Sequence, residues 1–114
     1  MMVYSCNESG YDQGTKKYWR EYSLDDKRLC FLTVFLTEQQ EIESISFDVE
    51  HADDYHYQIK ADQLPKLSKA LSCPNTETDI AAMFAERVKS WKDPIEIASF
   101  LKQAEVAYQV FHWY

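Results

Sequence analysis

Ten consecutive residues, "DVEHADDYHY" at 48–57, carry four carboxylates and two histidines with no lysine or arginine among them. Imidazole and carboxylate groups bind transition metals and transfer protons. The candidate metal ligands are His51, Asp53, Asp54 and His56. Their spacing is not that of a helical HExxH site, because the two aspartates favour a turn that the histidines flank. One interpretation of the stretch is therefore a small metal-binding or hydrolytic enzyme that uses this cluster.

A second interpretation is an acidic surface for another protein. The segment 38–57 holds seven of the 19 acidic residues and none of the 12 basic residues. The acids elsewhere balance the bases, so the formal net charge of −7 lies in this segment. Such a field repels nucleic acid and anionic membranes and attracts a basic protein, which is the partner we expect. Tyrosines interleaved with the acids would add contact area. The candidate contact residues are Glu41, Glu43, Asp48, Glu50, Asp53, Asp54, Tyr55 and Tyr57.

A third interpretation is a structural or adaptor subunit whose acids keep a strand at the edge of a sheet soluble. Catalytic residues are not assigned, because a run of acids this dense is expected to be solvated, whereas a catalytic carboxylate pair needs an enclosed cleft. Only two glycines are present, both in 7–16, and no phosphate-binding loop, dinucleotide fingerprint or GxSxG nucleophile turn occurs. We expect no cofactor.

The elements that must position these residues begin with strands. Segments rich in β-branched and aromatic residues, separated by short polar gaps, predict an antiparallel meander. Apolar and polar residues alternate in the third segment, and the second is apolar on both faces, which suits a central position. The segment 7–16 is expected to be a loop. The predicted strands lie at 17–22, 28–37, 41–50 and 55–60, and a last strand at 106–114 returns to the sheet.

Three helices are expected between the fourth strand and the last one. The first begins at Asp62, and the second has Thr76 as its N-cap. Asp93 caps the third helix and Pro94 takes its first position. Inward-facing residues recur at helical spacing, and they are Leu64, Leu67, Leu71, Ile80, Met83, Phe84, Val88, Trp91, Ile97, Phe100, Leu101 and Ala104. The sequence predicts one α+β domain over 1–114, with an antiparallel sheet of four to five strands and about three helices on one face.

The length and composition of the chain are consistent with a single folded domain. A chain of 114 residues can bury one core without disulfides or metal. The longest apolar run, "CFLTVFL" at 30–36, is far shorter than the ~20 residues that span a bilayer, and the N-terminus lacks the pattern of a signal peptide. The three cysteines have no CxxC spacing. We expect a cytoplasmic protein with reduced thiols.

The size, the single α+β domain and the acidic stretch "EQQEIESISFDVEHADDYHY" at 38–57 resemble the small immunity proteins of bacterial toxin systems, in particular those of contact-dependent growth inhibition. The resemblance implies a protein that is made with its toxin, often a nuclease, and that binds and blocks it in the cytoplasm. The helical immunity proteins of the nuclease colicins differ, because this chain opens with strands, and none of their binding residues is carried over.

Overall fold

The computed structural model describes residues 8–14, 16–25, 29–50, 54–90 and 96–113, with the backbone alone at 54, 112 and 113. Three helices follow the fifth strand, and a 3-10 turn at Ala61–Gln63 leads into the first of them. The helices are α1 (Leu64–Leu71), α2 (Glu77–Ser90) and α3 (Ile97–Gln103). The strands are β1 (Glu8–Asp12), β2 (Lys17–Ser23), β3 (Cys30–Leu36), β4 (Ile42–Glu50), β5 (Asp54–Lys60) and β6 (Gln109–Trp113).

The strands form one sheet in the order β1-β2-β3-β4-β5-β6, and each neighbouring pair is antiparallel. The α+β class, the meander and the returning last strand are confirmed. Six strands are present where four to five were expected, because β1 lies in the segment expected to be a loop.

The composition of β1, "ESGYD", has low strand propensity, but β1 pairs with the aromatic strand β2. Gly10 lies opposite Trp19, and the indole covers it so closely that a Cβ on Gly10 would meet the ring at 2.7 Å. The rings of Tyr11 and Tyr18 also contact each other, with centroids 4.6 Å apart. These cross-strand contacts outweigh the local preference for a loop.

The helices pack against one face of the sheet, which we call the covered face. The central strands supply fully buried residues such as Val34 and Ile45, and the Phe47 ring meets Phe84 of α2 at 5.5 Å between centroids. Seven of the expected inward residues are confirmed as buried core, while Met83, Val88, Phe100 and Ala104 are partly buried. The seven buried residues are Leu64, Leu67, Leu71, Ile80, Phe84, Ile97 and Leu101.

The first helix was expected to begin at Asp62, but a 3-10 turn occupies Ala61–Gln63 and α1 begins at Leu64, whereas the predicted N-cap of α2 is confirmed. Thr76 caps α2, since its hydroxyl accepts from the backbone N–H of Asp79 at 3.3 Å. Phe100 is only partly buried, and the guanidinium of Arg87 lies 5.1 Å from its ring centroid. The expected roles of Trp91, Asp93 and Pro94 fall outside the described residues. Within the described ranges, no helix is long and apolar enough to cross a membrane.

The opposite face of the sheet, which we call the open face, lies away from the helices because the core cluster places their buried residues against the covered face. Side chains alternate between the two faces along each strand, so the register fixes which residues share the open face. Most of them are small, polar or aromatic. The open face carries Trp19, Glu21, Phe31, Thr33, Phe35, Ser44, Ser46, Asp48, His56, Gln58 and Phe111.

Candidate functional site

Asp48 lies near the middle of the open face and is 9% exposed. Its neighbours in β4, Phe47 and Val49, point into the core on the covered face. The sequence predicted a solvated acid here, and this expectation is wrong. Residues on both flanking strands close over the carboxylate, and they supply hydrogen-bond donors that replace water.

Three side chains hold the carboxylate of Asp48. Its Oδ1 accepts from the Ser46 hydroxyl at 2.6 Å and lies 2.7 Å from Nδ1 of His56. Its Oδ2 accepts from the Thr33 hydroxyl at 2.7 Å. Hydrogen bonds to an ionised acceptor are short and strong, so the network ties β3, β4 and β5 together at this point.

The network also orients the imidazole of His56. A carboxylate only accepts hydrogen bonds, so Nδ1 of His56 is the donor in the contact with Asp48. In the neutral ring Nε2 then carries the lone pair. Within the described part of the chain, no side chain hydrogen-bonds Nε2, and the His56 side chain is 33% exposed. The structure therefore presents Nε2 of His56 as an accessible acceptor or base.

A groove runs along the open face beside this pair. It has a volume of about 370 Å³ and is lined by Phe35, Ser46, Asp48, His56, Gln58 and Phe111. The four polar residues form its floor, since Ser46 lies opposite Gln58 and Asp48 opposite His56. The two phenylalanines form its walls. They belong to β3 and β6, which are three strand spacings, or about 14 Å, apart, and the register offsets them by four residues, or about 13 Å, along the strands. The two rings therefore stand at diagonally opposite corners of the floor.

The acidic stretch does not form one continuous ribbon. Glu41 and Glu43 lie at one end of β4, and Glu50 lies at the other end, about 25 Å away at the usual rise per residue. Lys17 of β2 forms an ion pair with Glu43 at 2.5 Å. Glu41 and Glu50 are exposed. The groove thus lies between an acidic end at Glu50 and an end at which Glu43 is paired with Lys17.

The two candidate tyrosines lie on the covered face, away from the groove. Tyr57 is 2% exposed and packs near Phe47 and Tyr108, with ring centroids 6.4 and 6.0 Å away. Tyr55 is partly buried and stacks on Tyr57 with a centroid distance of 6.3 Å. The ring of Tyr57 is therefore a core residue and is not accessible to a partner.

Most of the candidate metal site cannot be placed. His51 and Asp53 lie outside the described residues, and only the backbone of Asp54 is described. His56 is described, but its contact is Asp48, which the metal hypothesis did not include. Among the residues with described side chains, no three His, Cys, Asp or Glu form a group that could hold a metal ion. The four-residue cluster remains a prediction.

Several groove residues were not selected from the sequence, namely Phe35, Ser46, Gln58 and Phe111. The alternation of apolar and polar residues along 41–50 did place Ser46 and Asp48 on one polar face. This alternation was the sequence signal available for the groove. The other contributions depend on which residues of β3, β5 and β6 lie opposite β4, and a single sequence does not give that register.

Comparison with known proteins gives no guide to the site, because no family model, curated protein or solved structure matches the chain.

Proposed function

We propose that this protein is an acidic binding and inhibitory protein, of the immunity type, that neutralises a cognate toxin domain in the cytoplasm. The observation that supports it best is the open face itself. Aromatic rings that are partly or largely exposed and a polar groove occupy the side of the sheet away from the helices, and exposed acidic residues lie at both ends. Aromatic residues are enriched at protein-binding surfaces relative to the rest of a protein's surface.

The dimensions of the open face suit a protein partner. Six strands span about 24 Å and have a mean length of about 22 Å, which gives roughly 500 Å² of surface. A standard interface buries about 800 Å² on each partner. The open face alone therefore supplies more than half of the area that a standard interface buries on one partner.

The charges favour a basic partner. The formal net charge of the chain is −7. Among the described residues, the register places Lys17 and Lys60 at the Glu43 end of the open face, and Lys17 is already paired with Glu43. The end of β4 at Glu50 has no described lysine or arginine opposite it in the register. A basic toxin domain would be attracted to this face and held in one orientation.

The experiment uses the C-terminal domain of the protein encoded by the adjacent upstream reading frame. We expect a 1:1 complex whose association rate falls as salt rises, because the Debye length shrinks from about 30 Å at 0.01 M to about 10 Å at 0.1 M. The double variant Glu41→Gln, Glu50→Gln should bind more slowly. The matched control Asp62→Asn, Glu105→Gln removes the same charge from exposed positions outside the sheet. Absence of a complex at low salt, or equal rates for the two double variants, would refute the proposal.

A second candidate function is a small hydrolase, and one specific observation favours it. The pairing of a carboxylate with Nδ1 of His56 is the arrangement that orients a histidine as a general base. The neighbouring hydroxyl of Ser46 donates to Asp48, so the nucleophile would have to be water. Turnover of ester or phosphoester substrates that is lost in His56→Ala and kept in Gln109→Ala would favour the hydrolase over the binding protein.

A further inference from the structure

We infer that the groove is the pocket for an arginine side chain of the partner protein. This inference rests on the proposed function and specifies which partner group the open face recognises. It follows from the acceptors on the floor of the groove, the rings at its walls, and the charges around it.

The floor presents acceptors. Nε2 of His56 carries a lone pair in the neutral ring, as described above. The amide nitrogen of Gln58 donates to the Ser44 hydroxyl at 3.3 Å, which leaves the Gln58 carbonyl oxygen as an acceptor. Asp48 adds a negative charge below them. The described lining includes no lysine or arginine. A guanidinium matches this floor because it has five N–H donors and no acceptor.

The walls favour the same group. Arginine has a planar cation that stacks on aromatic faces, and such contacts are favourable within about 6 Å of the ring centroid. A guanidinium bonded to His56 lies nearest Phe111, which is opposite His56 in the register and 45% exposed, while Phe35 flanks the far corner of the groove. The chain already contains this contact elsewhere, where the guanidinium of Arg87 lies 5.1 Å from the Phe100 centroid. The groove volume of about 370 Å³ lies within the range of about 300–1,000 Å³ for small-molecule sites, which leaves room for one long side chain.

Other occupants fit less well. A carboxylate or phosphate would lie against Asp48 and be repelled by it. An aliphatic side chain would cover the His56 and Gln58 acceptors without giving them a donor, which costs free energy. A lysine ammonium is a compact, strongly hydrated point charge without a planar face, so it matches the ring and the spaced acceptors less well than a guanidinium does.

The first test needs no toxin. The probes are N-acetyl-arginine methylamide and its citrulline counterpart, which has the same shape but no charge, titrated into isotope-labelled protein and followed by NMR. We expect weak, saturable shifts confined to the backbone amides around Gln58 and Phe111 for arginine and none for citrulline. Shifts that are equal for both probes, or that map to the acidic ends of β4, would overturn the inference.

The second test uses the partner domain and a matched pair of variants. Phe111 and Val110 are adjacent in β6 and similarly exposed, at 45% and 47%, but they point to opposite faces of the sheet. Phe111→Ala should weaken binding by about tenfold or more, as loss of an interface anchor does, and Val110→Ala by less than about twofold. Gln58→Lys should abolish binding by repelling the guanidinium. Thermal melts of each variant would verify that it is folded.

The outcomes separate the two proposals. If the partner domain binds and Phe111→Ala behaves like Val110→Ala, the pocket is wrong and the binding function stands. If the arginine probe binds in the groove and the toxin domain forms no complex, the pocket stands and the proposed function falls.

Discussion

Replacing Asp48 tests the hydrogen-bond network on the open face. The carboxylate accepts from Thr33, Ser46 and His56, and each hydrogen bond to a charged group contributes about 1.5–3 kcal/mol when it is well buried. His56 is one third exposed, so water can replace part of this network after the change. We therefore expect Asp48→Ala to lower the free energy of unfolding by about 3 kcal/mol, well below the sum of the three bonds. Asp48→Asn keeps the shape and one acceptor oxygen and should cost about 1–2 kcal/mol.

The assay is urea unfolding followed by circular dichroism, supported by thermal melts in which about 1 kcal/mol corresponds to a shift of about 4 °C for a domain of this size. Glu41→Gln is the control, because it removes an acid of the same segment that is exposed. Its effect should stay within about 0.5 kcal/mol. If Asp48→Ala costs no more than this control, the network does not form in solution and Asp48 is the solvated acid that the charge pattern predicted.

Two further predictions concern the covered face. Phe84 is fully buried against Phe47, so Phe84→Ala should lower the free energy of unfolding by about 3–5 kcal/mol in a denaturant melt. A loss below about 1 kcal/mol would contradict the packing of α2 against the sheet. Burial alone would raise the pKa of Glu77, but hydrogen bonds from Arg20 and Tyr22 and the charge of Arg20 outweigh burial and lower it. The stabilisation from Glu77 is therefore complete above its unfolded-state pKa and is lost as pH falls through the lower folded-state pKa. Glu77→Gln should cost about 1–2 kcal/mol at pH 7 and progressively less in urea melts at pH 4 and below, and a cost that does not change with pH would show that the ion pair is absent.

Local sequence patterns were sufficient to predict most of the fold. Alternation in 41–50 identified the two faces of β4, and leucines at helical spacing identified the buried side of α1. These predictions succeeded because hydrophobic periodicity depends on short stretches of chain. The prediction for 7–16 failed because β1 is stabilised by Trp19 on the next strand, and its own composition does not indicate a strand.

The candidate site was harder to predict because it depends on register. Asp48 meets His56 because β4 and β5 pair in one particular alignment, and a slip by one residue would move His56 to the other face of the sheet. Glu43 and Glu50 are close in sequence but lie at opposite ends of β4, and Lys17, 26 residues from Glu43, neutralises Glu43. Linear charge density therefore overstated the acidic surface.

The order of the strands has a consequence for motion within the folded protein. The first five strands follow one another closely in sequence, whereas β6 joins the sheet only after three helices and pairs with β5 alone among the described strands. An edge strand of five residues, with Gln109, Val110 and Phe111 exposed, separates from a sheet at a lower free energy than global unfolding. Phe111 forms one wall of the groove, so fraying of β6 would widen the groove while the central strands stay folded. The Asp48 network, by contrast, links β3, β4 and β5 and keeps the floor of the groove rigid. The Phe111 side of the groove can therefore adjust to a bound group while the floor stays in place.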